Sequence, residues 1–358
     1  MQTLFDWGWT ADLADHFDQL AHDSLLPARV VRQDRQQYLV RSCARMHTAF
    51  LLGKMQYATS DPSRMPAVGD WAAIEAFDDE QAIIHAVLPR FSAFMRKEAG
   101  GRTRQQVIAA NIDTVFLVSG LDHDFNLRRI ERYLVQAASS GATPVIVLNK
   151  ADLCDDVAAR LAEVQQVASG VAVIVLSAQS GEGVEHLQAH IAPGQTIAVL
   201  GSSGVGKSTL VNRLLGADRQ VTGAVREDDS RGRHTTSHRE LFLLPEGGIL
   251  IDTPGLRELQ LWADASSLDA TFVDIEALAA ACRFKDCSHE VEPGCAVQEA
   301  LATGDLDAER FQSYLKLRRE IRYLDQRQDE VARAQAKQRE KQFGKLVKKI
   351  NRENPKRQ

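Results

Sequence analysis

A chain of 358 residues is too long for a single compact core and predicts two or three domains. Hydrophobic residues make up 44% and charged residues 25%, the proportions of an ordinary water-soluble protein, and no apolar run approaches the roughly 20 residues that cross a bilayer. The net charge of −5 hides an asymmetry, because residues 310–358 carry 16 Lys and Arg against 6 Asp and Glu while the remainder carries 27 against 42. A basic tail on an acidic body predicts a polyanionic partner. The opening Met1-Gln2-Thr3-Leu4-Phe5-Asp6-Trp7 has neither a basic nor an apolar segment of the secretory kind. Five cysteines, three of them crowded between 282 and 295, suit metal ligation in a reducing compartment, and a cytoplasmic, monomeric protein is expected.

In chain order, the first candidate element is an amphipathic helix from Thr10 to Leu20, with Leu13, Phe17 and Leu20 on one face and Thr10 as its cap. Packing against the next domain is the expected use of that face. Strand character follows at 28–32, 37–41, 46–52, 71–77 and 82–88, punctuated by Asp61-Pro62 and Val68-Gly69-Asp70. Five short strands suit a small closed barrel, but their periodicity leaves OB, SH3-like and other small β folds open. The interleaved Arg29, Arg32, Arg35, Arg41 and Arg45 fit either a nucleic-acid surface or a plain solvated strand face. Residues 96–104 read as a flexible basic linker. Strands at 112–118, 144–148 and 171–176 then alternate with helices at 126–138, 157–168 and 184–191, and further strands fall at 196–200, 240–244 and 248–251. This is the pattern of a mainly parallel α/β sheet, which binds ligands at the carboxyl ends of its strands.

The strand at 196–200 runs into Gly201-Ser202-Ser203-Gly204-Val205-Gly206-Lys207-Ser208, a full phosphate-loop pattern, and Thr209 continues into a helix that ends at Gly216. Glycines let the backbone curl its N–H groups around phosphates, the helix aims its positive end at them, Lys207 suits the β- and γ-phosphates and Ser208 suits Mg²⁺. After the strand at 144–148 comes Asn149-Lys150-Ala151-Asp152. A carboxylate at Asp152 can accept both edge hydrogens of guanine, whereas adenine would leave it unpaired. Ser177 and Ala178 open a glycine-containing loop suited to guanine O6. Gly232-Arg233-His234-Thr235-Thr236 offers a switch threonine, and Asp252-Thr253-Pro254-Gly255 offers a second Mg²⁺ carboxylate at Asp252 and a γ-phosphate-sensing N–H at Gly255. Together these specify a GTPase. Their order is circularly permuted, since the guanine motifs precede the phosphate loop, with the old termini joined near 192–195.

Leu256 stands where many GTPases carry a water-orienting glutamine, and leucine cannot hydrogen-bond a water. His234 is the nearest candidate for that task, with a plain surface histidine as the alternative. The expected catalytic set is therefore His234 with Lys207, Thr235 and Thr236. Further on, Cys282, Cys287, His289 and Cys295 supply three thiolates and an imidazole within 14 residues, a complete tetrahedral set for one structural Zn²⁺. Helical segments flank it at 275–281, 297–302 and 307–342, the last a basic rod suited to RNA phosphates.

These motifs, in this order, resemble the RsgA (YjeQ) family of circularly permuted, small-ribosomal-subunit-dependent GTPases. The likeness covers about residues 28–345 and extends to Ala109-Ala110-Asn111-Ile112-Asp113. It implies an N-terminal β-barrel of OB type, a central α/β P-loop GTPase domain and a C-terminal mainly helical zinc-binding domain. The expected boundaries are an extension at 1–27, the barrel at 28–100, the permuted GTPase domain at 101–262, the zinc domain at 263–345 and a basic tail at 346–358. Implied partners are GTP and GDP with Mg²⁺, the 30S subunit and its 16S rRNA, and no membrane. Two other classes compete: an RNA-binding module with a vestigial nucleotide site, opposed by the intact Lys207, Ser208 and Asp252, and a metabolic nucleotide-dependent enzyme, opposed by Asp152.

Overall fold

The computed structural model describes residues 3–20, 22, 24–34, 37–43, 45–53, 62–97, 105–216, 239–252, 263–290 and 292–327. Near the start, α1 (Ala11–Asp18) is capped as the sequence predicts, Thr10 Oγ1 accepting from Leu13 N–H at 3.3 Å. Its apolar face, with Trp7 and Trp9 ahead of it, packs beside Trp71, the Trp9 and Trp71 rings meeting edge-on with centroids 4.7 Å apart.

Strands β1 (Leu26–Gln33), β2 (Tyr38–Ser42), β3 (Met46–Leu51), β4 (Trp71–Ala76) and β5 (Gln81–Val87) close into a barrel in the order 1-2-3-5-4-1. The β3–β5 pair is parallel and the other four are antiparallel, which selects the OB-fold from the small barrels that the periodicity allows. A register shift between Val30 and Arg32 bends β1, so that one strand serves both β2 and β4. Alternate residues point inward, and Ala28, Val30, Val40, Ile74 and Ile84 fill the interior. Arg29 corrects one expectation. It is 1% exposed and cannot belong to a nucleic-acid surface.

The predicted linker is also corrected in part. Arg96 and Lys97 end β6 (Ala93–Lys97), which pairs antiparallel with β7 (Gln105–Ala110); residues 98–104 lie outside the described ones. Beyond it come β8 (Thr114–Gly120), β9 (Thr143–Asn149), β10 (Ala172–Val175), β11 (Thr196–Gly201), β12 (Arg239–Leu243) and β13 (Ile249–Asp252). They are ordered β10-β9-β8-β11-β13-β12, all parallel except β12. Because the central strands are covered on both faces, β8 is buried along its whole length. Val115 and Leu117 face the side covered by α2 (Leu127–Ser140) and α3 (Val157–Val167). Phe116 and Val118 face the side covered by α4 (Lys207–Leu215) and by the helix predicted at 184–191, which is a 3-10 helix over Val184–His190. Barrel and sheet are continuous, since β1 pairs with β12 at Arg32↔Glu240 and Gln33↔Arg239.

A helical unit completes the described chain: α5 (Ala265–Thr271), α6 (Val273–Ala280), α7 (Ala296–Thr303) and α8 over 308–327. Phe272, Ile275, Val297, Phe311, Tyr314 and Leu317 form its core, and Val135 of α2 inserts into it. The rest of the predicted basic rod and the tail lie outside the described residues.

Candidate functional site

The strand order explains how motifs far apart in the chain meet. Parallel β10, β9, β8, β11 and β13 are neighbours, so the loops at their carboxyl ends lie side by side. Asn149 ends β9 opposite Gly120 of β8, and Gly201 ends β11 opposite Val118.

Asn149 fastens three of these loops with one side chain. Its Nδ2 donates to the Val205 carbonyl at 2.7 Å, and its Oδ1 accepts from Ala178 N–H at 2.8 Å. Being 2% exposed, the amide is shielded from water and bonds the phosphate loop on one side and the Ser177-Ala178 loop on the other. Lys150 then turns left-handed at φ 65°, and a 3-10 turn over Ala151–Leu153 leaves Asp152 exposed. Ala151 N–H donates to the Leu176 carbonyl at 3.2 Å, tying that turn to the end of the next strand.

In the phosphate loop, Gly204 and Gly206 sit at φ 82° and 92°, and a Cβ on Gly206 would run into the Asn149 amide. Lys207, at the N-terminus of α4, is buried and donates through Nζ to the carbonyl of Gly201 at 2.8 Å and to that of Ser202. Ser208 and Thr209 follow in the first helical turn, and half-buried Asp252 closes β13 two strand positions away from β8. The far end of α4 is pinned as well: Arg213 donates through Nε to the Ala178 carbonyl at 2.8 Å and through Nη2 to that of Gln179 at 2.6 Å. Asn149, Lys150, Asp152, Ser177, Ala178, the phosphate loop and Asp252 are thus brought to one end of the sheet. His234, Thr235, Thr236, Gly255 and Leu256 lie outside the described residues.

Three further residues join the site without belonging to any nucleotide motif. They come from the loop between β8 and α2 and from the first turn of α2. Asp122 pairs with Lys150 Nζ. Asp124 receives both guanidinium nitrogens of Arg129, at 2.5 and 3.1 Å, and Arg129 and Asp124 both bond the hydroxyl of Ser202 in the phosphate loop, at 2.9 and 3.0 Å. The hydrogen bond from Arg129 holds the Asp124 carboxyl below its ordinary range against the opposing effect of burial. Burial pushes Asp122 upward, but the hydrogen bonds from Lys150 and the Asp124 N–H outweigh it and leave its carboxyl low as well. The available signal was position alone, since 120–126 is a strand-end loop like the others.

The second cluster lies in the helical unit. Ligand atoms of Cys282, Cys287, His289 and Cys295 all fall within 4.8 Å of one another. Cys282 Sγ is 3.8 Å from Cys295 Sγ, and His289 Nδ1 is 3.6 and 3.5 Å from them. The edge of a tetrahedron with metal–sulfur bonds of about 2.3 Å is about 3.8 Å, so these four residues fit a tetrahedral metal ion. Cys295 also caps α7, its Sγ accepting from Gln298 N–H at 3.4 Å, which places that sulfur at a helix N-terminus.

A parallel sheet with a phosphate loop, an Asn-Lys-x-Asp turn and Asp252 at a strand end, threaded in permuted order, defines a circularly permuted P-loop GTPase. The RsgA GTPase family profile matches residues 87–262. Curated relatives named small ribosomal subunit biogenesis GTPase RsgA include one from Opitutus terrae, 49% identical over 344 residues that cover 93% of this chain and 94% of that protein. Another, RsgA 2 of Lactiplantibacillus plantarum, is 48% identical over 96% of this chain and 97% of its own length. Among solved structures, YjeQ from Thermotoga maritima superposes with a TM-score of 0.63 at 26% identity, over 83% of this chain and 98% of that one. YloQ, described as a circularly permuted GTPase, shares the fold with a TM-score of 0.60 at 22% identity, over 84% and 96%. The chain belongs to the RsgA GTPase family.

Proposed function

We propose that this chain hydrolyses GTP to GDP and phosphate in late maturation of the small (30S) ribosomal subunit, in the cytoplasm, and that the subunit stimulates the turnover. The observation that carries the guanine-nucleotide half is the Asn149 amide, which joins the base-side and phosphate-side loops into one site. The ribosomal half rests on the names of relatives that match nearly the whole chain. No helix among the described residues is long and apolar enough to cross a membrane.

In this reading Asp152 accepts the guanine edge hydrogens, and Lys150 lays its stem along the base. The N–H groups of 201–206 and Lys207 hold the phosphates. Ser208 and Asp252 hold Mg²⁺, which when bound neutralises charge developing on the β- and γ-phosphates. Thr235 or Thr236 would complete the Mg²⁺ site in the triphosphate state, and His234 orients the attacking water once the subunit is bound. Cys282, Cys287, His289 and Cys295 hold a structural Zn²⁺, which shapes the helical unit rather than taking part in hydrolysis. The barrel, the helical unit and the basic tail bind 16S rRNA. The chain divides accordingly at about 28, 101, 263 and 346.

The test is steady-state GTP turnover by the purified protein with and without small subunits. A many-fold stimulation is expected, lost in His234→Ala. Equal rates in both conditions would overturn the ribosomal reading, and a preference for ATP would overturn the guanine one.

A further inference from the structure

The β8–α2 loop supplies nothing that the nucleotide motifs require, yet its two carboxylates reach both halves of the site. Asp122 pairs with Lys150 of the base-side loop. Asp124, whose N–H donates to Asp122 Oδ1 at 3.2 Å, grips the phosphate loop at Ser202 together with Arg129. The grip is anchored, because Arg129 lies in the first turn of α2, a helix capped by Asn126 through Arg129 N–H at 3.0 Å and buried along its other face. Ser202 is also the residue whose carbonyl receives the Lys207 ammonium. One residue of the phosphate loop is therefore held by its side chain from α2, while its backbone holds the phosphate-binding lysine.

We infer that Asp124 and Arg129 are positioning residues for the phosphate half of the nucleotide site, acting through Ser202, and that Asp122 is the positioning residue for the base half, acting through Lys150. This rests on reading the site as one for guanine nucleotides. The physical case is preorganisation. A glycine-rich loop has many accessible backbone conformations, and a charge-assisted bond fixed to a buried helix removes them before the ligand arrives. Arginine suits the task because its planar fork binds both Asp124 oxygens while one of its nitrogens also reaches the serine hydroxyl.

The two grips make separable predictions for ligands that share a base and differ in phosphates. Equilibrium titration with GDP, with guanosine as competitor, would be run on the full chain and on Arg129→Ala, Arg129→Lys, Ser202→Ala, Asp124→Asn and Asp122→Asn. Loss of the phosphate-side grip should weaken GDP binding about tenfold and guanosine binding less than about twofold. Asp122→Asn should weaken both by a similar factor. The double variant Arg129→Ala with Ser202→Ala should be no weaker than the worse single one, because both remove the same contact. Arg129→Lys should restore part of the loss, the ammonium still reaching one acceptor. Ser202→Ala removes a single oxygen and keeps the test open should the Arg129 variants fold poorly. GDP affinity unchanged in Arg129→Ala and Ser202→Ala would overturn the inference. So would an equal loss for GDP and guanosine in those two variants, which would mark a merely structural role. A full chain that bound no GDP would instead overturn the reading of the site itself.

Discussion

At the scale of single residues, Arg29 shows how far a side chain's role can depart from its type. It lies inside the join of barrel, sheet and N-terminal segment. It donates to the carbonyls of Gly69 at 3.3 Å, Asn111 at 3.2 Å and Trp7, and to Thr196 Oγ1 at 2.7 Å. Burial lowers its pKa to about 10, with Asp113 and Asp70 opposing, so it remains a cation at neutral pH. Thr196 begins β11, the strand that ends in the phosphate loop, so this one guanidinium ties three segments to the base of the site. Truncation would take a buried donor from four acceptors, of which the Gly69 carbonyl keeps Asn111 Nδ2, and would remove a cation felt by Asp113 and by Asp70, which keeps Arg90. We expect Arg29→Ala to lower unfolding stability by about 3–5 kcal/mol and Arg29→Lys by roughly 1.5–3 kcal/mol. Urea unfolding measures both, and a loss under about 1 kcal/mol for Arg29→Ala would refute the role. Nothing in the local sequence marks Arg29 as internal. Arg29, Arg32, Arg35, Arg41 and Arg45 are spaced without the period of 2 that would assign them to one strand face, and Arg29 is buried by its contacts with the distant Trp7, Asn111 and Thr196.

At the scale of elements, much of the chain was legible because its signals are local. The five barrel strands, the alternation of β8 to β13 with helices and the Thr10 cap all follow from periodicity and turn residues. The motifs are legible because phosphate and guanine chemistry restricts residue type at fixed spacing. What was not legible depends on pairing across distance. The β6–β7 hairpin reads as linker because its strands carry charge near the tip, and the hold of Asp122, Asp124 and Arg129 on the site depends on β8 lying beside both β9 and β11. The Cys3His cluster is the opposite case, with spacing and geometry in agreement. Its ligands bracket a stretch, 283–294, with no regular helix or strand among the described residues, so a metal ion held by them would be the main organiser of that stretch. We therefore expect one zinc per chain, released with a chelator under mild denaturant or abolished by Cys282→Ser. Metal loss should raise hydrogen exchange over 275–303 by at least about tenfold while β8 to β11 stay protected. Unchanged exchange in metal-free protein would show that the helices hold the knuckle by themselves.

At the scale of the molecule, α2 works as a two-sided beam. Its first turn grips the phosphate loop through Arg129, while the residues on either side of Arg129 face the helical unit. Arg128 pairs with Asp307 at 3.2 Å and Arg132 with Glu320 at 2.7 Å, and Glu131 Oε1 receives Arg128 at 2.5 Å and Arg310 at 2.9 Å. Arg310 reaches on to Asp274 at 2.7 Å and lies over the Phe272 ring. Glu131 is fully buried, and burial pushes its carboxyl above the usual range although both cations pull it down. A folded-state pKa above the unfolded one means that its contribution to stability is complete below about pH 4.3 and declines as pH rises through the folded value. Glu131→Gln, which imitates the protonated form, should therefore cost least at neutral pH and show a flatter stability profile above pH 4 than the unsubstituted chain. Glu131→Ala removes volume and acceptor together, leaves Arg310 with the Asp274 carboxylate and the Thr271 carbonyl, and should cost about 3 kcal/mol. Because the beam carries these contacts between helical unit and sheet, Glu131→Ala should also divide one cooperative thermal transition into two, with residues 308–327 exchanging early. Calorimetry and hydrogen exchange on the same samples decide it. A single transition with uniform exchange in Glu131→Ala would mean that the apolar seat of Val135 in the helical core holds the two units together without the ion pairs.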